Sequence, residues 1–365
     1  VAEINIMLGI PAGKSFNTNS PKQMKQLLHI LGCKDLKNAD EKSLRKAMFR
    51  HPLNTRILDN VIQVRKARKL LSTYLTEGKE FSTPSGSGNT ILYAINPQGT
   101  DTSRMASREH HFWCGLQIQN QPRGPEVKCT YVAYPDFLYA EADYSQAESW
   151  HTGFLSGDEK LIDTLENSPD FHSQNASLFF GIPFEEIYDA VAHKTLNKPV
   201  RQLSKNVNHG SNYNMGAWTL VETMGYENIL KAANLLGLPK NWDFKRIAEY
   251  LLSTFHKTYP GIREVYYKEL KEEILRTGKL TSRSIFLTDP PEHQHMRLTR
   301  RCFGNPETSV ASLNAYIAHQ PQSLNAQTLN RAWLRVFNKI AIHPDHSQNF
   351  RLCAQVHDSI LYQYR

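Results

Sequence analysis

Apolar residues recur at helical spacing in the first part of the chain. Ser20-Pro21 is typical of a helix cap followed by proline in the first turn. The apolar positions that follow are three and four residues apart: Met24, Leu27, Leu28 and Leu31. A second helix is predicted over residues 53–74, and residues 161–278 show a mainly helical pattern.

Other segments alternate as strands do. Residues 91–95 and 137–143 are strand-like, and a loop-like stretch at residues 84–89 marks a boundary before them. The last segment, residues 351–364, reads as two strands joined by a turn at His357-Asp358-Ser359. Helix-rich stretches thus flank and interrupt a sheet. The pattern predicts an α+β architecture whose sheet is built from pieces far apart in the sequence.

Length and composition narrow the class of protein. The 365 residues suit two or three units that share cores. The five cysteines are scattered and odd in number, which argues against a disulfide framework and a zinc site and fits a reducing compartment. No apolar run approaches the roughly 18 residues that span a bilayer, so no membrane partner is expected.

Charge permits a nucleic-acid partner without requiring one. The chain carries 43 Lys and Arg against 35 Asp and Glu, a net charge of +8. Four of the cations lie close together near the end of the second predicted helix: Arg65, Lys66, Arg68 and Lys69. By itself, this run is better explained as a solvated helix face than as a helix that lies along phosphates.

A first candidate site begins where the predicted strand 137–143 ends, at Asp143-Tyr144-Ser145-Gln146-Ala147-Glu148. A carboxylate at a strand end is well placed to hold a metal ion, because the sheet fixes its direction. The same position also suits a helix cap, since Asp often precedes the first turn of a helix. By itself, this segment favours the cap.

A second candidate site lies on a predicted helix with Pro199 in its first turn. Arg201, Lys205 and His209 are four residues apart and therefore share one helix face. Such a row can hold a polyphosphate, with Arg gripping two oxygens and Lys acting as a point charge. A basic face turned to solvent explains the two charges, but not the glycine and Tyr213 that follow.

The third candidate is Gln355-Val356-His357-Asp358, at the tip of the final predicted hairpin. A His-Asp pair alone carries little information. However, Asp143 and Asp358 both end predicted strands, and two carboxylates brought together bind hard cations through oxygen. Paired cations would activate an attacking 3′ oxygen and stabilise a leaving pyrophosphate.

Taken in order, these three segments resemble motifs A, B and C of the polymerase I-like (family A) DNA polymerases. Motif A extends through Leu155-Ser156-Gly157-Asp158-Glu159. Further segments also resemble the family, covering nearly the whole chain: Asn19 to Gln23 and Lys69 to Tyr74 in the thumb, Thr102-Ser103-Arg104 and Gln119-Asn120 in the palm, Asp170-Phe171-His172 in the fingers, and Gln322-Ser323 on the template side.

The resemblance implies a right-hand polymerase fold with an antiparallel palm sheet, helical fingers and a helical thumb. It assigns residues 1–80 to part of the thumb, 81–165 to the first part of the palm, 166–308 to the fingers and 309–365 to the rest of the palm. The family normally continues beyond motif C. The resemblance therefore implies a fragment with a truncated C-terminus, or a short polymerase without an exonuclease region.

The resemblance also implies roles for single residues. Asp143 and Asp358 hold two Mg²⁺ ions, for which Mn²⁺ substitutes, together with the backbone carbonyl of Tyr144. Arg201 and Lys205 act in catalysis on the triphosphate of the incoming nucleotide. Other nucleotide-binding positions are His172 at the triphosphate, Glu148 as the steric gate against a ribose 2′ hydroxyl, Tyr213 beside the templating base pair, His209 and Gln146.

Partners follow from the same resemblance. Primer-template DNA and deoxynucleoside triphosphates are expected, with a monomeric protein and possible replication accessory proteins. A cytoplasmic location is implied, in a bacterial cell or a phage-infected host. The residues expected on the DNA side are Lys69, Arg104, Gln119, Asn120, Gln322 and His357.

Several positions depart from the family pattern. His209 stands where Phe or Tyr is usual, and Asn214 replaces a usual Gly. Trp150 stands where Arg is common. Ser359 follows Asp358 where the family usually has Glu, so an auxiliary carboxylate is missing. Residues 108–115 look like an insertion.

Other functions compete with DNA synthesis on a DNA template. A phage-type single-subunit RNA polymerase has a related palm, but Glu148 as a gate argues against it. Reverse transcription within the same family is open, because template choice is not legible. A catalytically impaired nucleic-acid-binding relative is disfavoured by the joint presence of four residues: Asp143, Arg201, Lys205 and Asp358.

Overall fold

The structure is a computed structural model of the 365-residue chain. It describes residues 2–34, 36, 38–75, 80–82, 89–97, 99–108, 116–122, 124–281, 299–301 and 310–365. Most of the predicted loop at residues 84–89 lies outside these ranges. So do residues 109–115 of the predicted insertion.

The N-terminal part of the chain is helical. Helix α2 begins as predicted, because the Ser20 hydroxyl accepts a hydrogen bond from the Gln23 amide and Pro21 occupies the first turn. The second predicted helix is α4, which follows a short 3₁₀ turn at Pro52–Asn54. The helices are α1 (Ala2–Met7), α2 (Pro21–Ile30), α3 (Glu41–Arg50) and α4 (Thr55–Tyr74).

The apolar faces of these helices meet in one core, which we call the N-terminal core. Burying a large aliphatic side chain contributes about 1.5–3 kcal/mol, so this set is the main source of stability in the region. The buried residues include Met24, Leu27, Leu28, Leu44, Ala47, Leu58, Val61 and Ile62.

Part of the basic run on α4 is structural. Arg65 donates from Nε and Nη2 to the carbonyl of Thr18, at 2.9 and 2.5 Å, and from Nη1 to the carbonyl of Ala39. The guanidinium therefore joins two loops to α4. Lys69, one turn further along, is exposed.

Short strands follow α4. Strand β1 (Glu80–Ser82) pairs with β2 (Asn89–Ile91), and β3 (Ala94–Asn96) pairs with β4 (Ala106–Arg108). The single strand predicted over residues 91–95 is therefore wrong, since two residues interrupt it. The Leu92 carbonyl accepts a hydrogen bond from the Leu116 amide (3.1 Å), and the Tyr93 hydroxyl donates to the Cys353 carbonyl (2.5 Å).

After a 3₁₀ turn at Ile118–Asn120 and the short helix α5 (Pro125–Lys128), strand β5 (Leu138–Asp143) leads into a long helical region. The helical pattern predicted over residues 161–278 is confirmed. Its elements are α6 (Ala147–Ser156), α7 (Glu159–Asn167), α8 (Phe171–Phe180), α9 (Phe184–Ile187), strands β6 (Tyr188–Asp189) and β7 (Lys194–Thr195), α10 (Lys198–Asn212), α11 (Ala217–Met224), α12 (Tyr226–Leu235), α13 (Phe244–Thr258), a π-helix (Ile262–Tyr267) and α14 (Lys268–Thr277).

A second core lies among these helices and is separate from the N-terminal core. Strands β8 (Lys279–Thr281) and β9 (Thr299–Arg301) pair after α14. Helix α15 (Val310–Val336) then contributes Tyr316, Ile317 and Leu324 to the second core. Among the residues that the structure describes, no helix combines the length and apolarity needed to cross a membrane.

The last two strands return to β5. After a π-helical turn (Phe337–Ala341), β10 (Phe350–Val356) and β11 (Ser359–Tyr364) form the predicted hairpin, and β11 pairs antiparallel with β5. The strand order is β10-β11-β5. The α+β class with an antiparallel sheet, built from distant segments, is confirmed.

A small contact joins the two cores. The ring of Phe49 on α3 stacks on Tyr226 of α12, with centroids 4.4 Å apart, and meets Phe244 of α13 edge-on at 5.1 Å. Lys42 on α3 forms an ion pair with Glu222 on α11. We call these residues the Phe49 contact.

Arg65→Ala tests the structural assignment of this side chain. We expect a loss of about 1–3 kcal/mol in the free energy of unfolding, because hydrogen bonds from a charged donor to two loop carbonyls disappear. Chemical denaturation measures the change. Lys69→Ala on the same helix is the control and should change the stability by less than about 0.5 kcal/mol. Equal losses in both variants would show that Arg65 does not anchor the loops.

Candidate active site

Asp143 and Asp358 come together at one end of the central sheet. Asp143 is the last residue of β5 and pairs in register with Ser359, the first residue of β11. Asp358 immediately precedes that residue, and its carbonyl accepts a hydrogen bond from the Tyr144 amide at 3.3 Å. The interpretation of Asp143 as a helix cap is wrong, because Gln146 precedes α6 and Asp143 belongs to the strand.

The hairpin turn that carries Asp358 is tightly specified. His357 adopts a left-handed backbone conformation with φ of 53°, which is uncommon outside glycine. Its side chain is exposed, whereas the neighbouring Gln355 is buried and its Nε2 donates to Asn330 Oδ1 at 3.0 Å. Within this motif, Gln355 therefore holds the strand in place, whereas His357 faces solvent.

The electrostatics of this end of the sheet favour a cation. Burial, then repulsion from Asp358 and from Glu141, raises the pKa of Asp143. Glu141 was not selected from the sequence, although a period of two places it on the same strand face as Asp143. Its Oε1 accepts a hydrogen bond from the Ser359 hydroxyl at 2.6 Å. Ser359 therefore holds a carboxylate of the neighbouring strand.

Carboxylate and carbonyl oxygens are the donors that Mg²⁺ prefers, so this pair fits the expected metal. The approach of Asp358 to the end of β5 supports the fit, since a cation between the two carboxylates would relieve their repulsion. The described side chains contain no cluster of three or more His, Cys, Asp or Glu placed to hold a metal ion. Two carboxylates would therefore leave most coordination positions to carbonyl, water or substrate oxygens.

The face of α10 divides into a paired and an exposed part. Arg201 forms a two-pronged ion pair with Asp170, from Nε to Oδ1 at 2.9 Å and from Nη2 to Oδ2 at 2.8 Å. Lys205 and His209, one and two turns further along, are exposed. Asn197 caps the helix and Pro199 lies in its first turn, as predicted.

Asp170 also starts α8, because its Oδ1 accepts a hydrogen bond from the Ser173 amide at 2.8 Å. Burial acts to raise the pKa of Asp170, but hydrogen bonds from Arg201 and Ser173 outweigh it and leave the pKa below its ordinary value. The same ion pair raises the pKa of Arg201. Asp170 was part of a predicted motif, but its pairing with Arg201 was not anticipated.

His172 is neutral at physiological pH. Burial, then the charges of Arg201 and Lys205, lowers the pKa of His172 to about 4. Its Nδ1 lies 3.4 Å from Asn208 Nδ2, and its backbone carbonyl accepts a hydrogen bond from the Ser204 hydroxyl. A neutral ring can still donate one N–H to a phosphate oxygen.

Glu148 is held from two sides. Arg104 forms an ion pair with one carboxylate oxygen, and the Tyr213 hydroxyl donates to the other. Burial, then the adjacent Glu148, raises the pKa of Tyr213, so the hydroxyl stays protonated as a donor. Gln322 acts against this rise in the pKa of Tyr213. The ring of His209 meets the tyrosine ring edge-on at 5.5 Å. Arg104 was expected to face DNA, but its side chain is bound to Glu148, the residue expected to be the steric gate.

The other expected DNA-side residues are spread over the fold. Gln119 exchanges hydrogen bonds with Ser107 at 2.9 and 3.0 Å, and its Nε2 donates to the Gln355 carbonyl at 3.3 Å. The Asn120 carbonyl accepts from the Tyr74 hydroxyl at 2.7 Å, joining α4 to this segment. Gln146 precedes α6 in a left-handed conformation.

The fold defines the class: a polymerase of the right-hand type, in which helical segments precede and interrupt an antiparallel sheet along the chain. The sequence model of DNA polymerase family A matches residues 3–365. The chain belongs to DNA polymerase family A.

Curated relatives support the assignment. DNA polymerase I of Treponema pallidum (strain Nichols) is 24% identical over 363 residues, covering 96% of this chain and 31% of the relative. The thermostable DNA polymerase I of Thermus aquaticus is 26% identical over 275 residues, covering 72% and 28%. The chain thus spans about a third of the length of such relatives.

The fold is similar to a solved structure, the POL domain of Pol1 from M. smegmatis in complex with DNA primer-template and dNTP. The TM-score is 0.71 at 20% sequence identity, and the match covers 100% of this chain and 57% of that chain.

The Arg201–Asp170 pair predicts a specific pH dependence of stability. Because the folded-state pKa of Asp170 is lowered, its contribution is full above the unfolded-state value of about 4 and is lost as the pH falls through the lowered value. Urea unfolding of wild type and Asp170→Asn should therefore differ by about 1–3 kcal/mol at pH 6 and converge towards pH 3.

Asp163→Asn on the exposed face of α7 is the control for this comparison. It removes a carboxylate without touching α10. A pH-independent difference between wild type and Asp170→Asn would contradict the assignment.

Proposed function

We propose that this chain catalyses template-directed DNA synthesis, transferring nucleotides in the 5′–3′ direction from deoxynucleoside triphosphates to a primer 3′ hydroxyl. The observation that carries the proposal is the meeting of Asp143 and Asp358 at the end of the sheet in a family A chain. The proposal extends to Mg²⁺ dependence, with Mn²⁺ as a substitute.

Asp143, Asp358 and the Tyr144 carbonyl would hold two Mg²⁺ ions. When bound, these ions lower the pKa of the primer hydroxyl and neutralise charge on the leaving pyrophosphate. The protein's part is to keep both carboxylates at fixed positions. It does so with backbone hydrogen bonds of β5, β11 and the turn, which leave both side chains available for ligands.

The α10 face would bind the triphosphate. Asp170 takes two of the five N–H donors of Arg201, which leaves others for phosphate oxygens while fixing the plane of the guanidinium. Lys205 supplies a mobile positive charge, and neutral His172 supplies a hydrogen-bond donor. His209 and Gln146 complete the proposed nucleotide site, with the imidazole beside Tyr213.

Glu148 would exclude ribonucleotides. Arg104 and Tyr213 hold its carboxylate from two sides, so the side chain cannot turn away from a 2′ hydroxyl without breaking both contacts. A gate that is held in place discriminates better than a mobile one, because the clash cannot relax.

The remaining assignments follow the family pattern. Residues 1–80 would form part of the thumb, and the N-terminal core lies within this range. Residues 81–165 and 309–365 would form the palm and 166–308 the fingers, and residues of all three ranges share the second core. Primer-template DNA would contact Lys69, the Gln119-Asn120 segment, Gln322 and His357. We propose that the protein acts as a monomer, together with replication accessory proteins.

Loss of either acidic residue tests the proposed metal site. Asp143→Ala and Asp358→Ala should each lower the rate of primer extension by at least about a hundredfold, since removing even one charge-stabilising group has that effect. Primer-template affinity should stay within about threefold, because the carboxylates are not DNA-binding cations. Extension of a labelled primer at saturating Mg²⁺ provides the rate.

Asp136→Asn is the control, because Asp136 lies just before β5, pairs with Arg365 at 3.0 Å and has a left-handed backbone (φ of 67°) that asparagine tolerates. It should extend primers as wild type does. Retention of more than about a tenth of the wild-type rate in Asp143→Ala or Asp358→Ala would refute the metal assignment.

Glu148→Ala should relax sugar discrimination. We expect the ratio of kcat/KM for deoxy- and ribonucleotides to fall by roughly 10- to 200-fold, the range that a misfit in a binding pocket is worth. Single-nucleotide incorporation gives both values. Glu148→Gln keeps the length of the side chain and should retain most of the discrimination. If the Ala variant discriminates as well as the Gln variant, Glu148 is not the gate.

A further inference from the structure

The turn after α10 is fastened to α15 by two asparagines. Asn214 Nδ2 donates to Asn314 Oδ1 at 2.9 Å, and Asn314 Nδ2 donates to the backbone carbonyl of Asn214 at 3.0 Å. Both residues are half-buried. The pair is therefore reciprocal, and we call it the amide clasp.

Asn214 occupies a strained position. Its φ of 50° lies in the left-handed region, where glycine is the residue that avoids steric cost. Asparagine tolerates this conformation better than most residues, although glycine would adopt it at lower cost. The advantage of asparagine over glycine must therefore come from its side chain. What the side chain adds here is one hydrogen bond of the clasp.

A second anchor holds the same turn from another side. The Tyr267 hydroxyl donates to the carbonyl of Ser211 at 2.8 Å and approaches that of Asn212 at 3.2 Å. Tyr267 lies in the π-helix, whose wider turn directs Tyr266 inward as well, onto the Ile317 carbonyl at 2.6 Å. The turn therefore stays attached to the fold if the clasp is removed.

Tyr213 lies between these anchors. It directly precedes Asn214, its hydroxyl donates to Glu148, and its pKa responds to the side chain of Gln322 on α15. Asn314 and Gln322 are eight residues apart on α15, which is about 2.2 helical turns. The end of α10 thus meets α15 at two points, one through the clasp and one through the tyrosine.

We propose that the amide clasp is a positioning contact that sets the place of Tyr213 against the nascent base pair. The inference rests on the proposed function, in which Tyr213 lies beside the templating base. Asn214 and Asn314 touch no reacting atom; they act through the tyrosine. Fixing the backbone next to Tyr213 narrows the range of base-pair shapes that its ring accepts.

Two substitutions divide the clasp. Asn314→Ala removes both hydrogen bonds, whereas Asn214→Gly removes only the side-chain donor and keeps the backbone carbonyl that Asn314 uses. We expect Asn314→Ala to raise the KM for the correct nucleotide and the misincorporation frequency by about tenfold each, in line with the loss of two hydrogen bonds. Its kcat and primer-template affinity should stay within about twofold of wild type.

Asn214→Gly should show a smaller increase, and the double variant should match Asn314→Ala alone, because the bonds belong to one unit. Asn314→Asp keeps the acceptor for Asn214 Nδ2 but sets a carboxylate oxygen against the Asn214 carbonyl, so it should not recover the loss. The control is Asn228→Ala, which removes an amide that bonds to the Met224 carbonyl away from the turn. Thermal unfolding of all variants separates positioning from stability.

The outcomes are distinguishable. Wild type that fails to extend a primer would refute the proposed function, whatever the variants do. A wild type that extends, together with an Asn314→Ala variant whose KM and misincorporation frequency equal those of Asn228→Ala, would refute the clasp alone. A variant with a lower kcat, a higher KM and a lower thermal stability would show a structural role and would also overturn the proposal.

Discussion

The pairing of β11 with β5 is the constraint on which the site depends. It sets Ser359 opposite Asp143 and thereby brings Asp358 beside the end of β5. Burial, then repulsion from Asp358 and from Glu141, raises the pKa of Asp143. The register of β11 against β5 is fixed, because a shift by one residue would turn every side chain of β11 to the opposite face. The sheet therefore holds the two acidic residues close together despite their repulsion. The fold thus supplies the energy that keeps two acids together.

Two cations of the proposed site have internal acidic partners. Arg104 pairs with Glu148 and Arg201 with Asp170, while Lys205 remains exposed. Internal pairing fixes the direction of a side chain and limits how far it can follow a ligand. The paired side chains, Arg104 and Arg201, thus give the proposed site its shape, whereas exposed Lys205 is free to move towards a substrate. A charge count along the chain cannot make this distinction.

Sequence periodicity predicted the local elements well, because each depends on neighbours within a few residues. The hairpin around His357-Asp358, the cap at Ser20 and the row along α10 are of this kind. Partners far apart in the chain were not predictable. Nothing local to Asn214 indicates Asn314, and nothing local to Arg104 indicates Glu148. Asp143 is intermediate between these two cases. Its own segment favoured a helix cap, and only comparison with the distant Asp358 indicated a metal ligand at the end of a strand.

The Phe49 contact has a consequence for how the molecule moves. Two aromatic ring pairs contribute about 1–3 kcal/mol, and an exposed ion pair such as Lys42–Glu222 adds less than about 1 kcal/mol. A state higher by a few kcal/mol is populated at roughly 0.1–10%. Parting Phe49 from Tyr226 leaves the buried residues of both cores in place. Opening this contact would therefore cost far less than unfolding either unit, because the interiors of both cores stay buried.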